Sequence, residues 1–238
     1  MLNVLIACEE SQAVCKEFRR LGHRAFSCDI QECSGGHPEW HIQGDVLPVI
    51  NGRCSFVTCD GKLHEQAEAW DLIIAHPPCT YLSGAGNAYF NIERYGEKAI
   101  QRHKLRKEAA EFFMKFINAD CLHVAVENPI GYMNGHFRKP DQIIQPYYFA
   151  ESTEDKRNYH QKTTCLWLNG LLPLKRTNNL SKPEPIYVYR STGKKRYYTE
   201  AITGFRKDSK VMRSKTFQGI ARAMAEQWSE YIEKEKNQ

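Results

Sequence analysis

An open α/β sheet with mostly parallel strands is the fold that the sequence predicts, on three observations. The opening stretch LNVLIACEESQAVCKEFRRLGHRAFSCDI reads as strand, helix and strand, with an acidic residue about 20 positions after the first strand, as in nucleotide-binding α/β folds. Two later apolar runs stop abruptly at polar motifs that carry proline, HPPC and ENP. The chain then closes with Phe217, Ile220, Ala221, Met224, Trp228 and Tyr231 at the spacing of an amphipathic helix.

Taken in order, residues 4–7 form a short buried strand. Ser11 is placed to cap the helix that follows, where Val14, Phe18 and Leu21 recur at helical spacing, and Gly22 suits the left-handed position past its end. Residues 25–27 make a second strand that ends at Asp29. Residues 31–69 are mostly polar, with Gly35-Gly36 and Gly61 as turns and one hairpin expected around Cys54 to Cys59. LIIA then reads as a buried strand that ends at His76-Pro77-Pro78-Cys79. From Tyr81 to about Gly96 the chain is rich in Gly, Asn and aromatics, the composition of a long active-site loop.

The next helix carries Leu105, Ala109, Phe112, Phe113 and Phe116 on one face. Residues 123–126 form another strand, stopped by Glu127-Asn128-Pro129, and residues 164–168 a further one. Proline lacks an N–H and holds its predecessor extended, so both proline stops fix the chain where it leaves the sheet. The organisation expected is a core over 1–174, a small basic insertion over 175–210, and a C-terminal helix over 211–238 that completes the core.

Composition excludes several classes of protein. A chain of 238 residues buries about 70 % of its unfolded surface, enough for a sizeable core. Thirty-three Lys and Arg against 28 Asp and Glu give a net charge of +5, a mild excess that permits an anionic partner. No apolar run approaches the roughly 18–20 residues that cross a bilayer, and MLNVLIACEES turns acidic before a signal-peptide core forms, so a cytoplasmic protein with no membrane partner is expected. Nine cysteines, an odd number in a reducing compartment, argue against a disulfide framework. Cys28, Cys33, Cys54 and Cys59, with His37 and His41, raise a zinc site, but their spacing lacks the compact CxxC pairs of such sites, and no metal is expected.

Cys79 is the most informative cysteine. It follows two prolines at the end of an apolar strand, with Thr80, Tyr81 and Ser83 behind it, a setting in which a thiolate serves as nucleophile; the alternative is an inert cysteine. Glu127 ends the other strand. It either caps a loop or pairs with Lys162, or it shares the sheet edge with Cys79 and supplies a proton-carrying group to one planar substrate. Asn128 either orients that carboxyl group or makes an Asx turn.

DLIIAHPPCTYLS, VAVENPIGYM, TTCLWLNGLLPL and RSKTFQGIARAMAEQW, in this order and after VLIACEESQAVCKEF and SCDI, resemble the segments of small phage and prophage DNA cytosine C5-methyltransferases over about residues 4–228. The resemblance implies a Rossmann-like S-adenosylmethionine-dependent methyltransferase fold with a reduced target-recognition insertion. It implies that Cys79 is the nucleophile at cytosine C6 and that Glu127 contacts N3 and the exocyclic amine, with Pro78, Asn128, Lys162 and Thr164 in support. By position it assigns Ala7, Cys8, Glu9, Glu10, Ser11, Asp29, Asp45, Pro77, Ser214 and Thr216 to S-adenosylmethionine. Asp29 would accept the ribose hydroxyls, and Thr216 also suits the cap of the last helix.

DNA is the partner so implied, with the target base flipped into a pocket under the loop that carries Ser83 and Asn87. Lys207 and Lys210 are the phosphate contacts expected in the basic segment, which Lys194, Lys195 and Arg196 extend. Two departures bear on activity. ACEES lacks the glycines that let a backbone approach the cofactor, and Lys162 stands where a paired-arginine motif would supply a guanidinium fork. Amino-group methylation and a catalytically silent DNA-binding relative are the competing readings.

Overall fold

The structure, a computed structural model, describes residues 1–197 and 215–237. Seven strands form one sheet in the order β3-β2-β1-β6-β7-β9-β8. They are β1 (Asn3–Ala7), β2 (Arg24–Asp29), β3 (His41–Gln43), β6 (Leu72–Ala75), β7 (Val124–Asn128), β8 (Gln142–Ile144) and β9 (Thr164–Asn169). Pairing is parallel from β3 to β7, and β9 runs antiparallel to both of its neighbours. The hairpin expected near Cys54 is present as β4 (Cys54–Val57) against β5 (Leu63–Gln66), outside the main sheet. The sheet is thus a mixed, mostly parallel α/β sheet of Rossmann-like form.

Strands buried on both faces read as unbroken apolar runs, and side-chain alternation divides them between two cores. Val4, Ile6, Leu72, Ile74, Ala125, Leu166 and Leu168 pack with α1 (Ala13–Arg20) and the C-terminal helix, which supplies Ile220, Met224 and Trp228. Leu5, Ala7, Ile73, Ala75, Val126 and Trp167 face the other way, against Phe113 and Phe116 of α3 (Glu97–Ile117). The apolar faces read from the sequence therefore cover opposite sides of the sheet. Two one-turn helices, α2 (Ile92–Tyr95) and α4 (Met133–His136), lie in the connections, and the C-terminal helix is α5 (Gln218–Lys236).

Both helix caps differ from expectation. Ser11 does not cap α1; Gln12, in the left-handed region, precedes the helix, and the Glu9 carboxylate accepts the N–H groups of Val14 at 2.7 Å and Cys15 at 3.2 Å. A glutamate carboxyl group offers two acceptor oxygens, one to each N–H at the positive end of the helix, which a single serine hydroxyl matches less well. Thr216 is likewise displaced. Phe217 precedes α5, and Asn158, from a distant loop, accepts the Gly219 N–H at 2.7 Å.

Between residues 175 and 197 the described part of the basic segment forms a short hairpin, β10 (Tyr187–Val188) with β11 (Lys195–Arg196). Lys207, Lys210 and Ser214 lie outside the described residues. No helix among the described residues is long and apolar enough to cross a membrane.

Gly219 marks the tightest contact of α5. A Cβ there would stand 2.4 Å from the Phe149 carbonyl oxygen, an approach that backbone atoms cannot relieve. Gly219→Ala should lower stability by about 1–3 kcal/mol, as overpacking does, in urea denaturation followed by circular dichroism.

Candidate functional site

Strand register assembles the site. Ala7 of β1 pairs with Cys28 of β2 and with Ala75 of β6, and Ala75 pairs with Val126 of β7. One residue further, Asp29, Cys8, His76 and Glu127 therefore follow one another across four strands at the carboxyl edge of the sheet. The His76 N–H continues the ladder to the Ala7 carbonyl at 2.9 Å. Because β9 runs backwards, its first residue, Thr164, reaches the same edge, with Lys162 just before it. Asp29 and Glu127 stand three strand spacings apart, about 14 Å. The chain also changes direction here, since β1 lies between β2 and β6, and such switch points are where open α/β sheets bind ligands.

Glu127 is the electrostatic centre. Its side chain is 20 % exposed, and His76, 8 % exposed, brings Nδ1 within 3.2 Å of its Oε2. Burial pushes the Glu127 carboxyl up, but the hydrogen bond and charge of His76, the Lys162 ammonium and the Thr164 hydroxyl outweigh it and hold the group below the usual carboxylate range. Glu9, on the far side of His76, goes the other way. Burial dominates and raises its pKa despite His76 and the two α1 N–H groups. Asn128 is buried, and its Nδ2 donates to the Pro77 carbonyl at 2.9 Å, which ties the two proline stops together. Two buried polar atoms beside this junction, His76 Nε2 and Asn128 Oδ1, have no hydrogen-bond partner among the described residues.

Cys79 leaves the sheet three residues after His76 and is exposed, as Cys59 is. The other seven cysteines are buried or half-buried; burial, aided by Asp29 and Asp45, pushes the Cys28 thiol up to about 12. The loop behind Cys79 is fastened in place. Leu82 and Ser83 donate to the Cys79 carbonyl, Ser83 bridges to Gly131, and Tyr132 N–H reaches the Leu82 carbonyl at 2.7 Å. Gly131 is required there, because a Cβ would meet the Leu82 oxygen at 2.0 Å. From α3, Arg102 donates to the Thr80 carbonyl, and Arg106 to the Tyr81 carbonyl and to Asn87 Oδ1, with its guanidinium 3.2 Å from the Phe90 ring centre. Ser83 accepts the Ala85 N–H as the cap of a short 3-10 helix, Gly84–Phe90. The segments that carry Cys79 and Glu127 are thus held side by side.

At the other end of the row, the β1–α1 turn adopts the backbone of a glycine-rich turn without glycine. Cys8 has φ +59° and Gln12 φ +56°. Left-handed geometry costs a side-chain-bearing residue about 1–2 kcal/mol and persists only where its surroundings enforce it. Here they do. Gln12 is fully buried, donating to the His37 carbonyl at 2.8 Å and accepting its N–H at 3.1 Å, and Glu10 holds Ser34 through backbone and side chain. Glu9 N–H meets the Cys28 carbonyl at 3.2 Å.

Of the residues assigned to the cofactor, Cys8 and Asp29 stand side by side; burial chiefly raises the pKa of the Cys8 thiol, and the Asp29 and Asp45 carboxylates add to it. Asp29 is half-buried and uses Oδ1 for the Gln31 N–H; Asp45 is exposed. At this end of the row a left-handed turn and carboxylate acceptors stand at the carboxyl ends of β1, β2 and β3. Ala7 and Ser11 are buried in the turn, Glu9 lies behind it under α1, and Pro77 and Pro78 lead to Cys79. Thr216 precedes α5, and the adjacent Lys215 donates to Ser34 on the loop over the turn.

Sequence reasoning passed over His76, Arg102 and Arg106. His76 stood inside the HPPC motif, but its role depends on register with β7. Of the zinc candidates, Cys33 donates to Gln12, and His41 is buried between Ser27 and the Gln31 carbonyl. Among the described residues no three His, Cys, Asp or Glu stand together as a metal site. A depression of about 530 Å³ lined by Lys16, Arg19, Arg20, His23, His37 and Trp40 runs along α1 and contains none of the motif residues. Its arginines are engaged, Arg19 over Phe26 and Trp40 and Arg20 with Glu17 and Glu226.

No protein-family model matches the chain, and comparison with curated protein sequences finds no match.

The Glu127 shift has a defined consequence for stability. A carboxylate whose folded pKa lies below its unfolded value contributes stability above the unfolded value, near 4.5, and loses it as pH falls through the folded value. Glu127→Gln should therefore be less stable than wild type at pH 7, with the gap closing below pH ~4. Guanidinium denaturation of both proteins at pH 7 and pH 3.5 measures it, and a gap that is constant with pH contradicts the assignment.

Proposed function

We propose that the protein transfers a methyl group from S-adenosylmethionine to C5 of cytosine in DNA, with Cys79 as nucleophile. The observation that carries this reading is the fastening of an exposed cysteine segment to a half-buried glutamate on the next strand, in one row with an acidic residue three strands away. Asp29 and Glu127 then address two ligands, a nucleoside at one end and a base at the other. The sheet supports the reading too. With the β4–β5 hairpin left out and the remaining strands renumbered in chain order, the sequence of strands is 3-2-1-4-5-7-6 with the seventh reversed, a mostly parallel Rossmann-like sheet such as the reading calls for.

In this mechanism the base is flipped out of the duplex so that both faces of its ring are accessible. The Cys79 thiolate forms a bond to C6, and Glu127 holds a proton at N3, so that electron density gathers at C5. Bound S-adenosylmethionine supplies the electrophilic methyl group. Water takes the C5 proton, the C5–H electron pair forms the C5–C6 double bond as Cys79 leaves C6 as thiolate, and N3 returns its proton to Glu127. Asn128 fixes Pro77 and hence the exit of the Cys79 segment; Lys162 and Thr164 hold the Glu127 carboxylate in place. The arginine-held loop with Ser83 and Asn87 would border the flipped base. The exposed Lys194 and Lys195 beside β11, with Lys207 and Lys210, would meet phosphates.

Incubation with labelled S-adenosylmethionine and unmethylated DNA of varied sequence, followed by nucleoside analysis, tests the proposal. The expected product is 5-methylcytosine; a methylated exocyclic amine would instead establish the amino-group reaction. Cys79→Ser should lose at least ~10³-fold in turnover while still binding S-adenosylmethionine, because a hydroxyl is a far weaker nucleophile at neutral pH. DNA containing 5-fluorocytosine should trap the wild type covalently and Cys79→Ser not at all. Methylation by Cys79→Ser at the wild-type rate would sink the mechanism.

A further inference from the structure

The Glu127 side chain raises a difficulty that its neighbour resolves. To place a proton on a ring nitrogen, a carboxyl group must hold one, yet Glu127 is surrounded by groups that favour its ionised form: His76, the Lys162 ammonium and the Thr164 hydroxyl. Of these, His76 alone both touches the carboxylate and can carry a transferable proton near neutral pH. An ionised carboxylate only accepts, so the 3.2 Å contact requires the hydrogen to sit on Nδ1. The ring is 8 % exposed, and its Nε2 is buried without a hydrogen-bond partner among the described residues.

The charged groups that face this pair come from three elements. Glu9 lies on the β1–α1 turn, Glu127 on β7, and Lys162 leads into β9, where the Cys165 thiol also feels Glu127. Glu127 and Glu9 thus lie on either side of one imidazole, and the second, Glu9, is already committed to the N–H groups of α1.

We propose that His76 and Glu127 work as one proton-carrying pair, with His76 the store from which Glu127 is charged. This rests on the methyltransferase reading and deepens it. When Cys79 bonds to C6 and electron density moves toward N3, the carboxyl group passes a proton to N3 and takes one from Nδ1 of the imidazolium, which becomes neutral. When the C6–S bond breaks, N3 returns its proton through Glu127 to Nδ1, so the pair ends the cycle as it began. His76 is in this sense a positioning and proton-holding residue that acts through Glu127 and need not touch the base.

Two substitutions separate storage from simple positioning. In His76→Asn the side-chain amide can still donate to Glu127 from near the Nδ1 position but holds no titratable proton; His76→Gln provides a second polar replacement in case the first folds poorly. Both should lower kcat roughly 100-fold at pH 8, with the deficit shrinking as pH falls and Glu127 itself becomes protonated, and with little change in KM for DNA. A deficit equal at every pH, or wild-type turnover by His76→Asn, would overturn the proposal.

A second measurement needs neither DNA nor cofactor. In the full chain labelled with carboxyl-¹³C glutamate, the Glu127 resonance, identified by its absence from Glu127→Gln, should titrate at a higher pH in His76→Asn than in wild type. An unchanged midpoint would overturn the pairing. If wild type makes no 5-methylcytosine, the methyltransferase reading fails, and the carboxyl titration still decides whether the pair exists.

Discussion

The position of β6 between β1 and β7 is the constraint on which the site depends. Parallel pairing leaves no freedom of register once both faces of the strands are buried, because a slip by one residue would turn each apolar side chain from one core into the other. Val4, Ile6, Leu72, Ile74 and Ala125 belong to one core and Leu5, Ala7, Ile73, Ala75 and Val126 to the other. Packing thus sets the level at which every strand ends. Asp29, Cys8, His76 and Glu127 become neighbours because each follows a member of the paired row Cys28, Ala7, Ala75 and Val126.

Ionisable groups at such an edge are stable only as a set. Burial alone would raise the Glu127 pKa, and one histidine, one ammonium and one hydroxyl reverse that direction. Glu9 shows the opposite balance a strand away, where burial prevails although the carboxylate receives two helix N–H groups. Two glutamates with opposite shifts on either side of one histidine give the edge a graded affinity for protons. That grading is what acid–base chemistry at a single ring requires.

Rigidity comes from elements that carry no chemistry. The loop after Cys79 is bound by backbone to the residues after Asn128 and by guanidinium groups from α3, so a segment whose composition reads as a long loop is fastened along its length. Arginine suits this task because its planar fork donates to a carbonyl while its face covers an aromatic ring, as Arg106 does with Tyr81 and Phe90. Gln12 plays a similar part at the β1–α1 turn, where hydrogen bonds to residue 37 hold a left-handed backbone that glycine would adopt unaided.

The sequence by itself determined what is local. Short apolar runs, proline stops and helical spacing located β1, β2, β6, β7 and β9, the α3 and α5 faces and the hairpin near Cys54, since those patterns follow from side-chain direction within one segment, whereas the three-residue edge strands β3 and β8 carry too short a pattern to read. It also singled out Cys79, Glu127 and Asp29, because polar residues immediately past buried strands stand out in the chain. The tertiary structure alone decided which of them are neighbours. His76 meets Glu127 across 51 positions, Asn158 caps α5 across 61, and Arg106 grips Tyr81 across 25. It also replaced Ser11 by Glu9 as the cap of α1. Those pairings depend on register and packing between distant segments, and a local pattern carries no information about either.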